Sequence, residues 1–108
     1  MNTELDYVIG KDAEQNTELI LESEPHDVWF HLDGVPSAHL ILRNPEEFSL
    51  QHLRSSGVIY QMALKLKAKG KYRKACNVTI LYAQIKDVHV TDIPGRVTVS
   101  GKRNTLKA

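Results

Sequence analysis

Apolar and polar positions change period several times along the chain, and each change marks an element. Residues 5–9 form a short apolar run closed by Gly10, which reads as a strand ended by a turn, since glycine takes conformations that a Cβ resists. Residues 12–22 open on Asp12, whose carboxylate can cap free backbone N–H groups, and so fit a short helix, although the end of the segment fits a strand equally well. From 28 to 33 the period is two. Val28, Phe30 and Leu32 share one face and Trp29, His31 and Asp33 the other, as in a strand. Gly34-Val35-Pro36 then turns the chain into a second strand at 38–43.

Asn44-Pro45-Glu46-Glu47 has the makings of a helix start, with a cap residue, a first-turn proline and a glutamate three positions after the cap; Ser49 is a competing cap. The main helix is expected to run to about Lys69 and stop at Gly70, with Leu50, Leu53, Gly57, Tyr60 and Leu64 as its core stripe. Residues 76–82, 88–90, 96–100 and 105–107 are short strands, separated by turns at Pro94-Gly95 and Gly101. Together these elements predict an α+β fold: a mixed, largely antiparallel sheet with one long helix and a short N-terminal helix. A chain of 108 residues fits one domain, residues 1–108, and no repeat or low-complexity linker divides it.

Composition narrows the class. Apolar residues at 42% and charged residues at 25% are ordinary for a folded protein. Cys76 is the sole cysteine, so no disulfide framework exists, and its place in the apolar run 76–82 predicts a buried, inert thiol in a reducing compartment. The N-terminus lacks the pattern of a signal peptide, and no apolar run approaches the roughly 20 residues that span a bilayer, so a soluble, cytoplasmic protein without a membrane partner is expected. The net charge of +1 conceals a division: residues 1–59 carry three basic and eleven acidic side chains, residues 60–108 eleven basic and two acidic. Such a dipolar layout orients a polyanion, because one half repels what the other attracts.

Lys65, Lys67, Lys69, Lys71, Arg73 and Lys74 place six cations within ten residues. On a continuous helix Arg54, Gln61, Lys65 and Lys69 would share a face, with Lys71, Arg73 and Lys74 following in the loop, and the whole would track phosphates without reading sequence. A solvated helix end, where cations suit the C-terminal dipole, is the plainer explanation. A second constellation is Asp27, Trp29 and His31, projecting from one face of a strand about 6.8 Å apart, with His39 following after the turn. Trp29 could stack a base or fill the core, and His31 could meet a phosphate or a 2′-hydroxyl. His26, His31, His39, His52 and His89 are scattered without metal-site spacing, so no metal is expected. No nucleophile motif or glycine-rich phosphate loop occurs, so neither a cofactor nor enzymatic activity is expected. The competing classes are a protein-interaction adaptor using the acidic N-terminal half and a hydrolase built on Asp27, His31 and His39.

Taken in order, these blocks resemble the NFACT-R domain, the RNA-binding-type module named for NEMF, the bacterial fibronectin-binding-protein-A group, Caliban and their relatives. The likeness covers roughly residues 5–107. It rests on the opening Val8-Ile9-Gly10-Lys11 with Asn16, on the Asp-x-Trp-x-His signature at Asp27, Trp29 and His31, and on Pro36-Ser37-Ala38-His39. It continues through Val78-Thr79-Ile80-Leu81-Tyr82, Lys86-Asp87-Val88 and Ile93-Pro94-Gly95-Arg96-Val97. Two departures stand out: Ser37-Ala38 replaces the commoner Gly-Ser before the histidine, and His89-Val90 follows Lys86-Asp87-Val88 where the family often has a basic residue. The resemblance implies a non-catalytic module that binds RNA, tRNA or rRNA, with the large ribosomal subunit and ribosome-associated quality control as its setting; DNA is an alternative ligand. Full-length members carry further domains that do not fit within this length, so the chain is expected to be a stand-alone homologue or an excised module. On this reading Trp29, His31 and His39 shape the site, Arg54, Lys65, Lys69, Lys71, Arg73, Lys74 and Lys86 hold phosphates, and Gly10, Asn16, Asp27, Pro94 and Gly95 are structural.

Overall fold

A computed structural model describes residues 6–108 and shows a five-stranded antiparallel sheet covered on both faces. The strands are β1 (Tyr7–Ile9), β2 (Val28–Leu32), β3 (Leu40–Leu42), β4 (Thr79–Gln84) and β7 (Asn104–Lys107), in the order β1-β3-β2-β4-β7. Helices α1 (Ala13–Glu22), α2 (Leu50–Ser55) and α3 (Val58–Ala68) and a separate ribbon of β5 (Val88–Val90) and β6 (Val97–Val99) supply the cover. The fold is therefore α+β, as the periodicities predict. Residue 5, where the first strand is expected to begin, lies outside the described residues.

Strand β2 is central, with β3 on one side and β4 on the other, so both of its faces lie inside. Val28, Phe30 and Leu32 pack with Leu53, Ile59, Met62 and Leu66 from α2 and α3. Trp29 turns the other way and packs with Ile41, Leu81 and Ala83 against Leu19 and Ile20 of α1 and Val88 of β5. The period-two pattern thus divides two cores rather than a core from solvent.

Several expectations change. The helix start at Asn44 does not form: the buried Asn44 side chain donates to the carbonyls of His26 and Phe48 and accepts from the Phe48 N–H, while Glu47 takes a φ of 55°. Ser49 is the working cap, its hydroxyl accepting from the His52 N–H at 3.1 Å. The long helix is broken at Gly57, whose φ of 89° is left-handed and ends the helical geometry. That break shifts the buried stripe of α3 to Ile59, Met62, Ala63 and Leu66, and leaves Tyr60 and Leu64, expected in the core, 49% and 41% exposed. It also places Arg54 on α2, off the helix that carries Lys65. Finally, β4 begins at Thr79 rather than at residue 76, because Asn77 has a φ of 57°, and Cys76 is exposed rather than buried. Asp12 does cap α1, accepting from the Gln15 N–H, which decides residues 12–22 in favour of a helix. No helix among the described residues is long and apolar enough to cross a membrane.

Candidate functional site

The α1 face of the sheet carries a cleft of about 960 Å³ whose floor is made of rings. Trp29 and His31, two positions apart on β2, lie nearly parallel, with centroids 5.7 Å apart and planes 8° from each other. His39, at the entry to β3, stands edge-on to both, 5.6 Å from Trp29 and 4.8 Å from His31. The Trp29 Nε1–H donates to His39 Nδ1 at 3.0 Å, so the ring proton of His39 sits on Nε2. Trp29 and His39 are each only 2% exposed, and His31 is half-buried, the outermost ring of the stack.

This packing fixes the charge state of the floor. Burial pushes the His39 pKa down to about 4, and the neighbouring His31 pushes the same way, against a weaker opposing contact with the Gly95 backbone. A second proton on His39 would also set an N–H against the Trp29 N–H. His31 is lowered as well, chiefly by burial, with the Leu32 backbone and the Asp33 charge opposing. Both imidazoles are therefore neutral near pH 7.

Glycines let the walls close on this floor. A Cβ on Gly10 would overlap the Asn16 Oδ1, and Asn16 is 6% exposed with that oxygen lacking a hydrogen-bond partner. Gly95, at a φ of 80°, brings the β5–β6 loop onto the start of α1: a Cβ there would stand 2.9 Å from the Ala13 Cβ, and its N–H donates to the Thr17 hydroxyl at 2.8 Å. Pro94 lines the cleft beside it. The cations are Lys11, Arg96 and Arg103, from three separate segments. Arg103 is tethered to Asp33 at 2.6 Å. Two acids stand beside these cations: Asp12, which is engaged as the α1 cap, and Asp33, which is paired with Arg103.

The structure thus brings together Gly10, Asn16, Trp29, His31, His39, Pro94 and Gly95, which are far apart in sequence. It does not bring the basic segment to them. Lys65, Lys69, Lys71, Arg73 and Lys74 belong to α3 and its following turn, on the opposite side of the sheet. Arg54 donates to the Tyr82 hydroxyl at 2.6 Å and to the Thr105 carbonyl at 3.1 Å. Lys86 is exposed in a short 3₁₀ turn after β4. Asp27 does not present its carboxylate beside Trp29 and His31 but fastens a turn, accepting from the Glu24 and Asn44 N–H groups and from Arg43. Among the described residues no three His, Cys, Asp or Glu side chains gather as a metal site. Sequence reasoning missed Lys11, Arg96 and Arg103 as site cations. The first two carried a signal, since each directly follows a glycine of a motif block, Gly10 and Gly95; Arg103 carried none.

Comparisons with known proteins concern the chain as a whole. The family described as "NFACT protein RNA binding domain" matches residues 2–104. Among curated proteins, Coiled-coil domain-containing protein 25 of Danio rerio is 32% identical over 74 residues and that of Bos taurus 49% identical over 75. Each match covers 68% of this chain and 36% of the relative, so the matched region spans about a third of those proteins. Among solved structures, the C-terminal part of the fibronectin/fibrinogen-binding protein of Streptococcus suis aligns with a TM-score of 0.75 at 21% identity, over 96% of this chain and 40% of that one, a likeness of fold.

Proposed function

Because the chain belongs to the NFACT RNA-binding domain family, we propose that it is a non-catalytic module that takes RNA into the cleft on the α1 face. One observation carries this reading: three neutral rings form the floor of a cleft whose walls hold Lys11, Arg96 and Arg103. Rings meet bases through their π-faces, and cations meet phosphates, which is the pairing that single-stranded nucleic acid requires. The polar groups of the cleft speak for binding rather than turnover. The Ser37 hydroxyl donates to the Ala38 carbonyl and accepts from the Leu32 N–H, His39 Nδ1 is held by Trp29, and the Asp27 carboxylate is used elsewhere. Among the described residues that line the cleft, no free serine or cysteine stands beside a free base. In the setting that the family resemblance implies, the RNA is tRNA or rRNA at the large ribosomal subunit, in the cytoplasm.

The test is a titration of labelled single-stranded RNA followed by anisotropy at several salt concentrations. Three phosphates held by the three cleft cations give a slope of log affinity against log salt of about −2, at roughly 0.7 per phosphate. Reversing Arg96 and Arg103 to Glu weakens binding more than tenfold. A flat salt dependence, or a double variant that binds like the wild type, removes the cleft as the RNA site. Equal affinity for DNA of the same sequence would show that the 2′-hydroxyl is not read.

A further inference from the structure

We infer that the cleft receives a single unpaired nucleotide, its base laid on the outward face of His31 and its flanking phosphates held by Lys11, Arg96 and Arg103. The inference rests on the cleft being the RNA site and adds which form of RNA enters it. Three observations converge on it.

The first is the ring stack. Trp29 is closed off beneath α1 and β5, and His39 meets both neighbours edge-on, so the half-buried His31 is the ring with a face to offer. Its near-parallel packing on Trp29 makes it the top of a stack that a further planar ring can extend. The second is recession. The rings lie at the base of a cleft of about 960 Å³, lined by the α1 start and the β5–β6 loop, which pack on each other, and by the β2–β3 turn at residues 34–38. A duplex keeps its base faces inside its own stack and cannot bring one down to such a floor, whereas an unpaired base can be turned out and inserted. The third is the distribution of charge. Lys11, Arg96 and Arg103 come from three segments around the floor rather than from one helix, which suits phosphates on both sides of an inserted base better than a straight backbone lying across the surface.

The experiment compares a blunt RNA duplex, the same duplex carrying one bulged 2-aminopurine nucleotide, and a single strand, by anisotropy at fixed salt. The bulged duplex is expected to bind at least about tenfold tighter than the blunt one, and the 2-aminopurine fluorescence to fall on binding as the base stacks. His31→Ala is expected to abolish the preference for the bulge and His31→Phe to retain it. The fluorescence change is read on the unaltered protein, so it decides the matter even where a variant folds poorly. Equal binding of blunt and bulged duplexes, lost in the Arg96→Glu/Arg103→Glu variant, would overturn the single-nucleotide inference while leaving the cleft as an RNA site. Absence of binding to all three RNAs would overturn both.

Discussion

The cleft and the basic segment at 65–74 both offer positive charge, but they are built in opposite ways. In the cleft, three exposed cations from three segments stand around a floor of rings that are buried or half-buried, brought together by the fold and not by the sequence. In the segment, six cations are neighbours in sequence, carried by the last turns of α3 and the turn that follows. Some of them spend contacts within the protein: the Lys65 ammonium lies 5.4 Å from the Tyr7 ring centre and that of Lys71 5.6 Å from Tyr72. Contiguous charge supplies attraction with little geometry. Assembled charge supplies geometry, and it makes the site inseparable from the core beneath it.

The sharpest consequence concerns stability. Trp29→Ala empties a site that is 2% exposed in the inner cluster and is expected to lower the free energy of unfolding by about 3–5 kcal/mol, read by chemical denaturation. Exchanging Lys69, Lys71 and Arg73 for Glu is expected to change it by no more than about 0.5 kcal/mol. A Trp29→Ala protein with an unshifted midpoint would mean that the floor of the cleft is surface after all.

Next comes pH. His39 binds its proton more weakly in the folded protein, at about 4 against an unfolded value near 6.5, so between those values the unfolded chain holds more protons. The stabilisation is complete above about 6.5 and is lost as the pH falls toward 4, on the order of 3 kcal/mol for this group. His31 is lowered too and acts in the same direction. Denaturation midpoints at a series of pH values check this, and His39→Gln is expected to flatten the profile. A profile unchanged by that substitution would place the acid sensitivity outside the cleft.

A smaller effect separates two glycines. Gly10→Ala drives a Cβ into the Asn16 side chain and is expected to cost about 1–3 kcal/mol, through displacement of α1 from the cleft wall. At Gly70, in the basic segment, a Cβ would meet nothing within 4 Å, and Ala there is expected to be neutral or stabilising by up to about 1 kcal/mol. Thermal midpoints of the two variants should therefore move apart; if they move together, the close packing at Gly10 is not tight in solution.

Much of the fold could be read from the residues because its signals are local. The alternation through Val28 to Leu32 fixes a strand, Asp12 caps α1, and the turns at Pro94-Gly95 and Gly101 lie where the chain reverses. Gly57 was legible as a residue but not as a break, since a helix tolerates a glycine and only the packing of α3 on β2 and β3 sets the new phase. Cys76 sat in an apolar run whose strand begins three residues late, after the left-handed Asn77. The site divides along the same line. Trp29, His31 and His39 were visible through spacing and family likeness, whereas the bond from Trp29 to His39 joins two strands and has no signature in either. The five lysines and one arginine of the segment stand out because they lie within ten residues, and closeness in sequence is the property that the cleft cations lack.

The finest distinction between the two regions lies in how each variant alters the salt dependence of RNA binding. Cations that dock phosphates in fixed positions should each remove about 0.7 from the slope when lost, so Arg96→Glu/Arg103→Glu should lower its magnitude by about 1.4. Their loss should also erase whatever preference exists for unpaired RNA, because the same residues hold the strand over His31. The cations of the segment stand on the other side of the sheet from the cleft, where they act on bound RNA at longer range, and two of them lie over Tyr7 and Tyr72. Lys69→Glu/Lys71→Glu/Arg73→Glu is thus expected to weaken binding only a few-fold, equally for paired and unpaired RNA, and with the preference intact. Isotherms for both variants at two salt concentrations and on two RNA forms distinguish the cases. Should the triple variant lose more affinity than the cleft pair, the roles are exchanged, and the α3 side of the sheet holds the RNA while the cleft serves something else.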